Sequence, residues 1–544
     1  VWDPDRSSLL LLFGTNPVVS HGYGTTLADP VTRLRDFRAR GGRLWVADPR
    51  RTETAALADV HVAIRPGTDH HLLAWLIREL LEDGADPVEL TRHCDPADVD
   101  RLIVALARFD SATVVAATGV EEPVLNRLRD EVRSAGRVAA MCGTGVTMSR
   151  DGVVAEWLRW VLLIVTGSAD RAGGMRCNQG WLFPLDDRDW AQLIRSDGAR
   201  EPGPRSRPEL PRWLGQLPCV ALADEIEAGP LRVLLVAGGN PLTAFPEPER
   251  TRAALERLDA LVVLDVVASE LSAIATHVLP VAGQLERADA SMLENVAFAN
   301  GTQHTPAVVP PAAQRRPAWW VVAQVASRLG IDVLGGADPH RCTDEDLLRT
   351  IAAGSRGGYE ALVTAGPHGV RAPDRYGWVH DGVLPHGRWR LAPTELVDRL
   401  GSIAAPDPGL VLAPRRRARS MNSARYVAPA DVLREPVDIR MHPGDVAGRG
   451  LADGRRVVVR SAHGTLEGVV RADPAVGAGV VSCTHGDVHA NVGRLTSARV
   501  DVDPVTGMPR ASGVAVTVEA TPQDTTGGSA DQGKSIQRSV RRQT

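Results

Sequence analysis

The stretch FGTNPVVSHGYG, residues 13–24, decides the fold because it directly follows the apolar run Leu9–Leu12. An unbroken apolar run that ends in a glycine turn predicts a strand buried on both faces, and the loop at the carboxyl end of such a strand is where open α/β sheets hold ligands. Gly14, Thr15, Asn16, Ser20 and His21 in this loop are small or polar. Such residues let a backbone approach a phosphate closely and present N–H groups to it. The glycine spacing is not that of a G-x-G-x-x-G turn, so the feature expected of a nicotinamide-dependent dehydrogenase is absent.

Outward from this loop the chain alternates strand and helix. A helical stretch over Val31–Arg40, the strand RLWVAD at 43–48, HVAI at 61–64 and a helix through Leu72–Glu82 form a β-α-β series, which predicts a parallel, Rossmann-like sheet. SATVVAATG (111–119) and RVAAMCGTG (137–145) read as further strands, the second running into Gly143 and Gly145 before a helix over Val153–Thr166. Glycines and polar residues cluster at GSADRAGGMRCNQG (167–180) and mark a break. A second, shorter series follows. LRVLLVAGGNPL (231–242) predicts a strand and turn, Glu247–Leu258 a helix, and ALVVLDVVASE (260–270) a strand with Asp265 near its end. From 405 onward, short strands with period-two alternation and Asp-Gly and His-Gly turns predict a small β-barrel. The expected organisation is an α/β domain over 1–176, a partial second α/β domain over 177–345, a linker region over 346–404 with solvated histidines, a barrel over 405–521, and a disordered polar tail over 522–544.

Composition narrows the function classes. The 544 residues, 44% of them hydrophobic, can bury several cores, and the net charge of -4 gives no basic excess of the kind a nucleic-acid surface needs. The six cysteines form no C-x-x-C pair, so they read as reduced structural thiols, and no metal ligand is assigned among the chain's residues. Lys534 is the only lysine, which excludes a P-loop or Schiff-base lysine from the folded body. The apolar stretch WLRWVLLIVTG from Trp157 is too short to cross a bilayer and reads as a core helix, so no membrane span is expected. The chain begins at Val1 and enters a strand within a few residues. The amino end is therefore expected to be cut, and the location cytoplasmic.

Six stretches in order, GTNPVVSH, GGRLWVADPRRTETAALADVHVAIRPGTD, GTGVTMSRDG, GGNPL, LDVVASELSAIATHVLP and NVGRLTSARVDVDPVTGMP, resemble the molybdopterin oxidoreductases of the dimethyl sulfoxide reductase family, in the formate dehydrogenase and assimilatory nitrate reductase style. The resemblance covers residues 8–345 and 405–520 and implies doubly wound α/β domains followed by a double-psi type β-barrel. It implies that molybdenum is held by two molybdopterin guanine dinucleotides. Gly14, Thr15, Asn16, Ser20, His21 and Gly145 would contact one, with Asp48, Arg50, Thr52, Gly67 and Asp69 at its nucleoside end. An acidic residue after a strand suits ribose hydroxyls or guanine N–H donors on chemistry alone. Helix capping by Thr15, Asn16 or Asp69 is the plainer alternative. By the same resemblance Gly239, Asn240, Asp265 and Thr276 serve the second dinucleotide, joined from the barrel side by Asn491 and by Arg419, Ser420 and Asn422 of APRRRARSMN (413–422), a run that can equally be a solvated charged face. The family's lysine before its last strand is missing from RASGVAV, where Arg510 could replace it. Arg176 resembles the active-site arginine of the formate dehydrogenase type; a guanidinium fork matches a carboxylate or nitrate.

The resemblance also implies a cysteine-ligated [4Fe-4S] module and a protein ligand to molybdenum ahead of the opening loop. Neither precedes Phe13, and Cys142 and Cys177 lie too far along to be that ligand. The expected function is two-electron or oxygen-atom transfer on a small substrate with an electron-transfer partner, the chain as given being inactive. The alternative is a noncatalytic, cofactor-holding or scaffold subunit.

Overall fold

A computed structural model of the chain describes residues 1–22, 27–190, 202–213, 215–406, 408–416, 418 and 437–521. The expected disordered tail, together with Arg419, Ser420 and Asn422, lies outside the described residues.

β1 (Leu9–Phe13), β2 (Arg43–Ala47), β3 (Val60–Val62) and β4 (Ala139–Cys142) form one parallel sheet in the order β3-β2-β1-β4. β1 sits between two parallel neighbours, Leu10 facing Leu44 on one side and Ala139 on the other, and all five of its side chains are buried. An all-apolar strand is stable only in such a position. The Asp69–Glu82 helix packs against the Gly152–Val165 helix, and both bury apolar faces in the core that β1 organises. No helix among the described residues is long and apolar enough to cross a membrane.

SATVVAATG is not a strand. Ser111–Thr118 is a helix, started by the Asp110 side chain accepting from Thr113 N and ended by Gly119 in the left-handed conformation at φ 73°. The β-branched residues suggested a strand, but the cap residues on either side, together with packing on the Asp69–Glu82 and Glu122–Ala135 helices, decide the conformation.

The second parallel sheet comprises β5 (Val233–Ala237), β6 (Ala260–Asp265) and β7 (His277–Pro280), in that order. Val233 and Leu235 on one face of the edge strand β5 are exposed, and so is Val278 on the opposite face of the other edge strand, β7, so both edges of this sheet meet solvent. The barrel is closed by β8 (Leu410–Leu412), β9 (Asp438–Met441), β10 (Arg456–Arg460), β11 (Thr465–Ala472), β12 (Val480–Ser482) and β13 (Ala515–Ala520), in the circular order β8-β12-β9-β11-β10-β13. Alternation puts Val457, Val459, Leu466 and Val470 inside and charged residues outside.

Residues 346–404 do not behave as a linker. A capping box between Thr343 and Asp346 starts the helix Asp344–Ala352, whose Leu348 and Ala352 are buried with Trp181, Leu182 and Ala290. Further on, Leu391, Ala392 and Leu400 are fully buried in the first core, and Trp157 Nε1 donates to the Leu391 carbonyl at 3.0 Å. Nor are all its histidines solvated: His380 is buried against Glu89. Gly, Pro and His masked short amphipathic helices whose apolar positions are too few to show a period.

Leu391→Ala and Leu400→Ala should each lower stability by about 2–5 kcal/mol, the range for emptying a fully packed leucine site. The shift in denaturant midpoint measures it. A change below about 0.5 kcal/mol in both would mean that the segment is dispensable to the first core.

Candidate functional site

In the first sheet the chain steps from β1 to β2 and β3, then crosses to β4 on the opposite side of β1. The carboxyl ends of β1 and β4 thus flank a topological switch point, where the loops diverge and leave a crevice. Two glycine turns fill its floor. Gly14 has φ 53°, and a Cβ there would lie 2.9 Å from both Val146 N and Val146 Cγ2. Gly145 N donates to the Gly14 carbonyl at 3.2 Å, and a Cβ on Gly143 would lie 2.6 Å from that carbonyl oxygen. The two backbones therefore touch where any side chain would push them apart.

The polar residues of the opening loop hold its shape. Asn16 Oδ1 accepts from Thr54 Oγ1 at 2.6 Å while its Nδ2 donates to Glu53 at 2.7 Å, tying this loop to the one after β2. Thr15 is buried beside Gly143. Ser20 Oγ donates to the Asn16 carbonyl and accepts from Gly22 N, and His21, at φ 61°, pairs through Nδ1 with the Leu27 carbonyl. Thr52 Oγ1 accepts from Ala55 N and opens a short helical turn. Gly67, at φ 78°, turns the chain beside Ser149 into the Asp69–Glu82 helix.

Two buried carboxylates overlook this floor. Asp48 accepts from Arg50 N at 2.9 Å, and burial raises its pKa against the pull of Arg50. Burial pushes Asp69 up to about 7, with the nearby charge of Asp48 adding to the shift. Next in the chain, His70 Nε2 and His71 Nδ1 are buried without partners among the described residues; burial lowers both pKa values, His71 to about 4, so both rings stay neutral.

The barrel closes over the same edge. Arg51 N donates to the Ala475 carbonyl at 2.6 Å, Gly477 N to the Pro49 carbonyl at 2.8 Å, and Ala511 N to the Met148 carbonyl at 2.8 Å. Arg50 bridges to Val476. Arg510 is held within the barrel side by Asp501 at 2.9 Å. Beneath these contacts the buried Arg415 guanidinium donates to the carbonyls of Ser482 and Asp438, and burial lowers its pKa to about 10, with Arg440 and Arg50 adding to the effect. Arg416 Nε, Ser482 Oγ and Thr484 Oγ1 are buried nearby without hydrogen-bond partners among the described residues. A buried cation beside unpartnered donors is the complement of an anionic, oxygen-rich ligand, since each orphan group costs free energy until something pairs with it. Sequence reading singled out the run 413–422 that contains Arg415, though not Arg415 within it, and missed Ser482 and Thr484; the signal was the end of an apolar strand, VVSCT, facing the start of the arginine run.

At the second seam, Gly238 N donates to the Leu264 carbonyl, which sets Gly239, Asn240 and Asp265 together at the carboxyl edge of β5 and β6. Asn240 bridges Leu242 N and Glu270, and Asn491 reaches over from the barrel to donate to the Leu242 carbonyl at 2.7 Å. Asp265 accepts from Val266 N at 2.7 Å. Thr276 does not join them. It precedes β7 and both donates to and accepts from the Leu261 backbone at the amino end of β6, the edge away from the loops. Arg176 is buried and fully engaged: Nε donates to Asn178 at 2.9 Å, one terminal nitrogen to the Phe298 carbonyl at 2.9 Å, and the other pairs with Asp374 at 2.6 Å. Cys142 and Cys177 are thiols pushed up by burial, Cys177 to about 11.

Glycine turns, buried carboxylates and a buried guanidinium thus lie along one edge of the first sheet, beneath the barrel. Residues 3–328 match the molybdopterin oxidoreductase family and residues 410–515 the molydopterin dinucleotide binding domain; the chain belongs to the molybdopterin oxidoreductase family. It is 25% identical to the NADPH-Fe(3+) oxidoreductase subunit alpha of Geobacter sulfurreducens over 85% of this chain and 52% of that protein. It is 25% identical to a nitrate reductase of Klebsiella oxytoca over 95% of this chain and 61% of that protein. The acetylene hydratase of Pelobacter acetylenicus shares the fold, with a TM-score of 0.75 at 16% identity, covering 95% of this chain and 78% of that one. The chain spans about half the length of the first of these relatives.

Two outcomes follow from the geometry. Gly14→Ala should destabilise the fold by about 1–3 kcal/mol, because both φ and contact distance oppose a Cβ. Asp69→Asn should stabilise the ligand-free chain at pH 8. An aspartate whose folded pKa is raised from 3.8 to about 7 contributes stability that is complete below pH 3.8 and lost as pH rises through 7. Asparagine removes that loss, on the order of 2–4 kcal/mol, so the difference between variant and native chain should shrink at pH 5. Equal unfolding midpoints at pH 8 would show that Asp69 is already matched by the protein.

Proposed function

We propose that the chain is the pterin-binding body of an oxidoreductase that holds molybdenum between two molybdopterin guanine dinucleotides and serves two-electron or oxygen-atom transfer on a small substrate, with a partner protein exchanging the electrons. The observation that carries this reading is the meeting, at one seam, of the Gly14–Gly145 floor, the buried Asp48 and Asp69, and the orphan donors around Arg415. When bound, the metal and its pterins supply the redox chemistry. The chain's own residues bind and orient. Backbone at Gly14 and Gly145 admits a pyrophosphate, Asp48 and Asp69 accept from N–H or O–H donors of a nucleoside, and Arg415 with Ser482 and Thr484 receives anionic oxygens. Gly239, Asn240, Asp265 and Asn491 form the second edge. Thr276 has no part in it.

Arg176 enters this reading as a positioning residue, because Asn178, Phe298 and Asp374 already take its guanidinium and lock the 176–180 strap to the second region. With that guanidinium already taken, the second reading is a subunit that holds the cofactor while another chain completes the reaction. That a protein named as a hydratase shares the fold shows that the fold alone does not choose the reaction.

The test is expression in a host that makes the cofactor, followed by molybdenum and pterin content per chain, formate oxidation and nitrate reduction with artificial electron carriers. Bound pterin that falls at least tenfold in Asp48→Ala and Asp69→Ala is the expected result. Turnover together with bound molybdenum selects the oxidoreductase, and molybdenum without turnover selects the cofactor-holding subunit. Unchanged pterin content in both variants would remove the nucleoside assignment.

A further inference from the structure

Outside the pterin seam, one cluster of side chains remains without a role. Glu89 and His93 lie one turn apart on the Pro87–His93 helix, so they share a face. His380 comes to them from the Trp378–Gly382 helix, 291 positions from Glu89 along the chain. Their donor atoms all lie within 4.8 Å of one another, and among the described residues this is the only group of three His, Cys, Asp or Glu side chains so placed. Glu89 and His380 are buried.

We propose that Glu89, His93 and His380 hold one zinc ion, which staples the 378–389 segment to the Pro87–His93 helix. One carboxylate and two imidazoles are a borderline donor set that favours zinc among the common divalent ions, with a water completing a four-coordinate shell. The surroundings fix these ligands as outer-shell partners do. His93 Nδ1 faces the Gly387 carbonyl at 3.4 Å; a proton on Nδ1 donated there leaves Nε2 as the lone pair. Trp389 Nε1 lies 2.8 Å from Glu89 Oε1 and 3.1 Å from His380 Nε2; its N–H is given to the nearer carboxylate, which it holds in place, and stays there when zinc takes the Nε2 lone pair. The local charge suits a cation. Glu89 and the buried Asp170, whose carboxylate accepts from Val379 N and Cys177 N, face Arg171 as the nearest cation.

Without metal, a proton occupies the position. Arg171 donates to His380 Nδ1 at 3.1 Å, so the His380 proton sits on Nε2 and is shared with Glu89 at 2.9 Å. Zinc takes that place. The proton moves from Nε2 to Nδ1, the imidazole stays neutral, and Arg171, about a quarter exposed, turns to the second Glu89 oxygen, already 3.6 Å away. No proton is released and no redox partner is needed.

The test uses the full chain, stripped with a chelator and dialysed against zinc alone, with cobalt as a spectroscopic substitute. The expected result is one zinc per chain, visible d–d absorption of the cobalt form, and a rise in unfolding temperature of roughly 2–5 °C at saturating zinc. Glu89→Gln and His380→Ala should lose the ion. Should burial make either variant misfold, His93→Ala at a half-buried position gives the same readout in a folded chain. Arg171→Gln should bind zinc about three- to tenfold more tightly, because a like charge is removed. A chain that binds no zinc, a zinc content unchanged by His93→Ala, or weaker binding in Arg171→Gln overturns the proposal and leaves a hydrogen-bonded clasp.

Discussion

The structure depends on a contact that only glycine permits. Gly14 at the end of β1 and Gly143–Gly145 at the end of β4 bring two backbones within hydrogen-bonding distance, across the point where the sheet's strand order reverses. Everything on that edge is set by this closeness. The loop after β2 is held by Asn16, the turn into the Asp69 helix follows, and the barrel lands on Pro49, Arg51 and Met148. A side chain at Gly14 would lift the floor and spread the loops that the barrel grips.

The second constraint is electrostatic. Among the described residues the edge buries two carboxylates, a guanidinium whose partners are carbonyls, and hydroxyl, imidazole and Arg416 atoms without partners. A fold that needed only stability would replace these groups with apolar ones, because each is costly when buried. Their concentration at one seam, with opposite signs on its two sides, is the pattern of a site whose pairing is completed by a ligand. The cationic part lies on the barrel and the acidic part on the α/β unit. A ligand with anionic oxygens at one place and N–H or O–H donors at another satisfies both.

Much of this was legible in the sequence. Apolar runs ending in glycine located β1 and β4, and alternation located the barrel, because both signals are local and strong. The loop motifs located Gly14, Gly145, Asp48, Asp69, Gly239 and Asn240 at the carboxyl edges where the structure has them. What stayed hidden depends on tertiary contacts. Ser111–Thr118 is β-branched yet helical because caps and neighbours decide. The 346–404 helices bury too few residues each to show a period. Thr276 is near Asp265 in sequence but at the opposite end of β6, and Arg176 finds partners more than a hundred residues away. Ser482 and Thr484 carry no signal of their own until Arg415 is placed beside them, and the same holds for Glu89 and His380.

The central claim is that one seam, between the first sheet's carboxyl edge and the barrel, receives a pterin dinucleotide. Amide hydrogen exchange, compared between cofactor-loaded and cofactor-free chains, tests it most directly. The account predicts added protection at residues 14–16, 48–52, 67–71, 143–146 and 482–485, on both sides of the seam at once. Protection confined to one side, or unchanged exchange at 14–16 and 143–146 in a loaded chain, would contradict it.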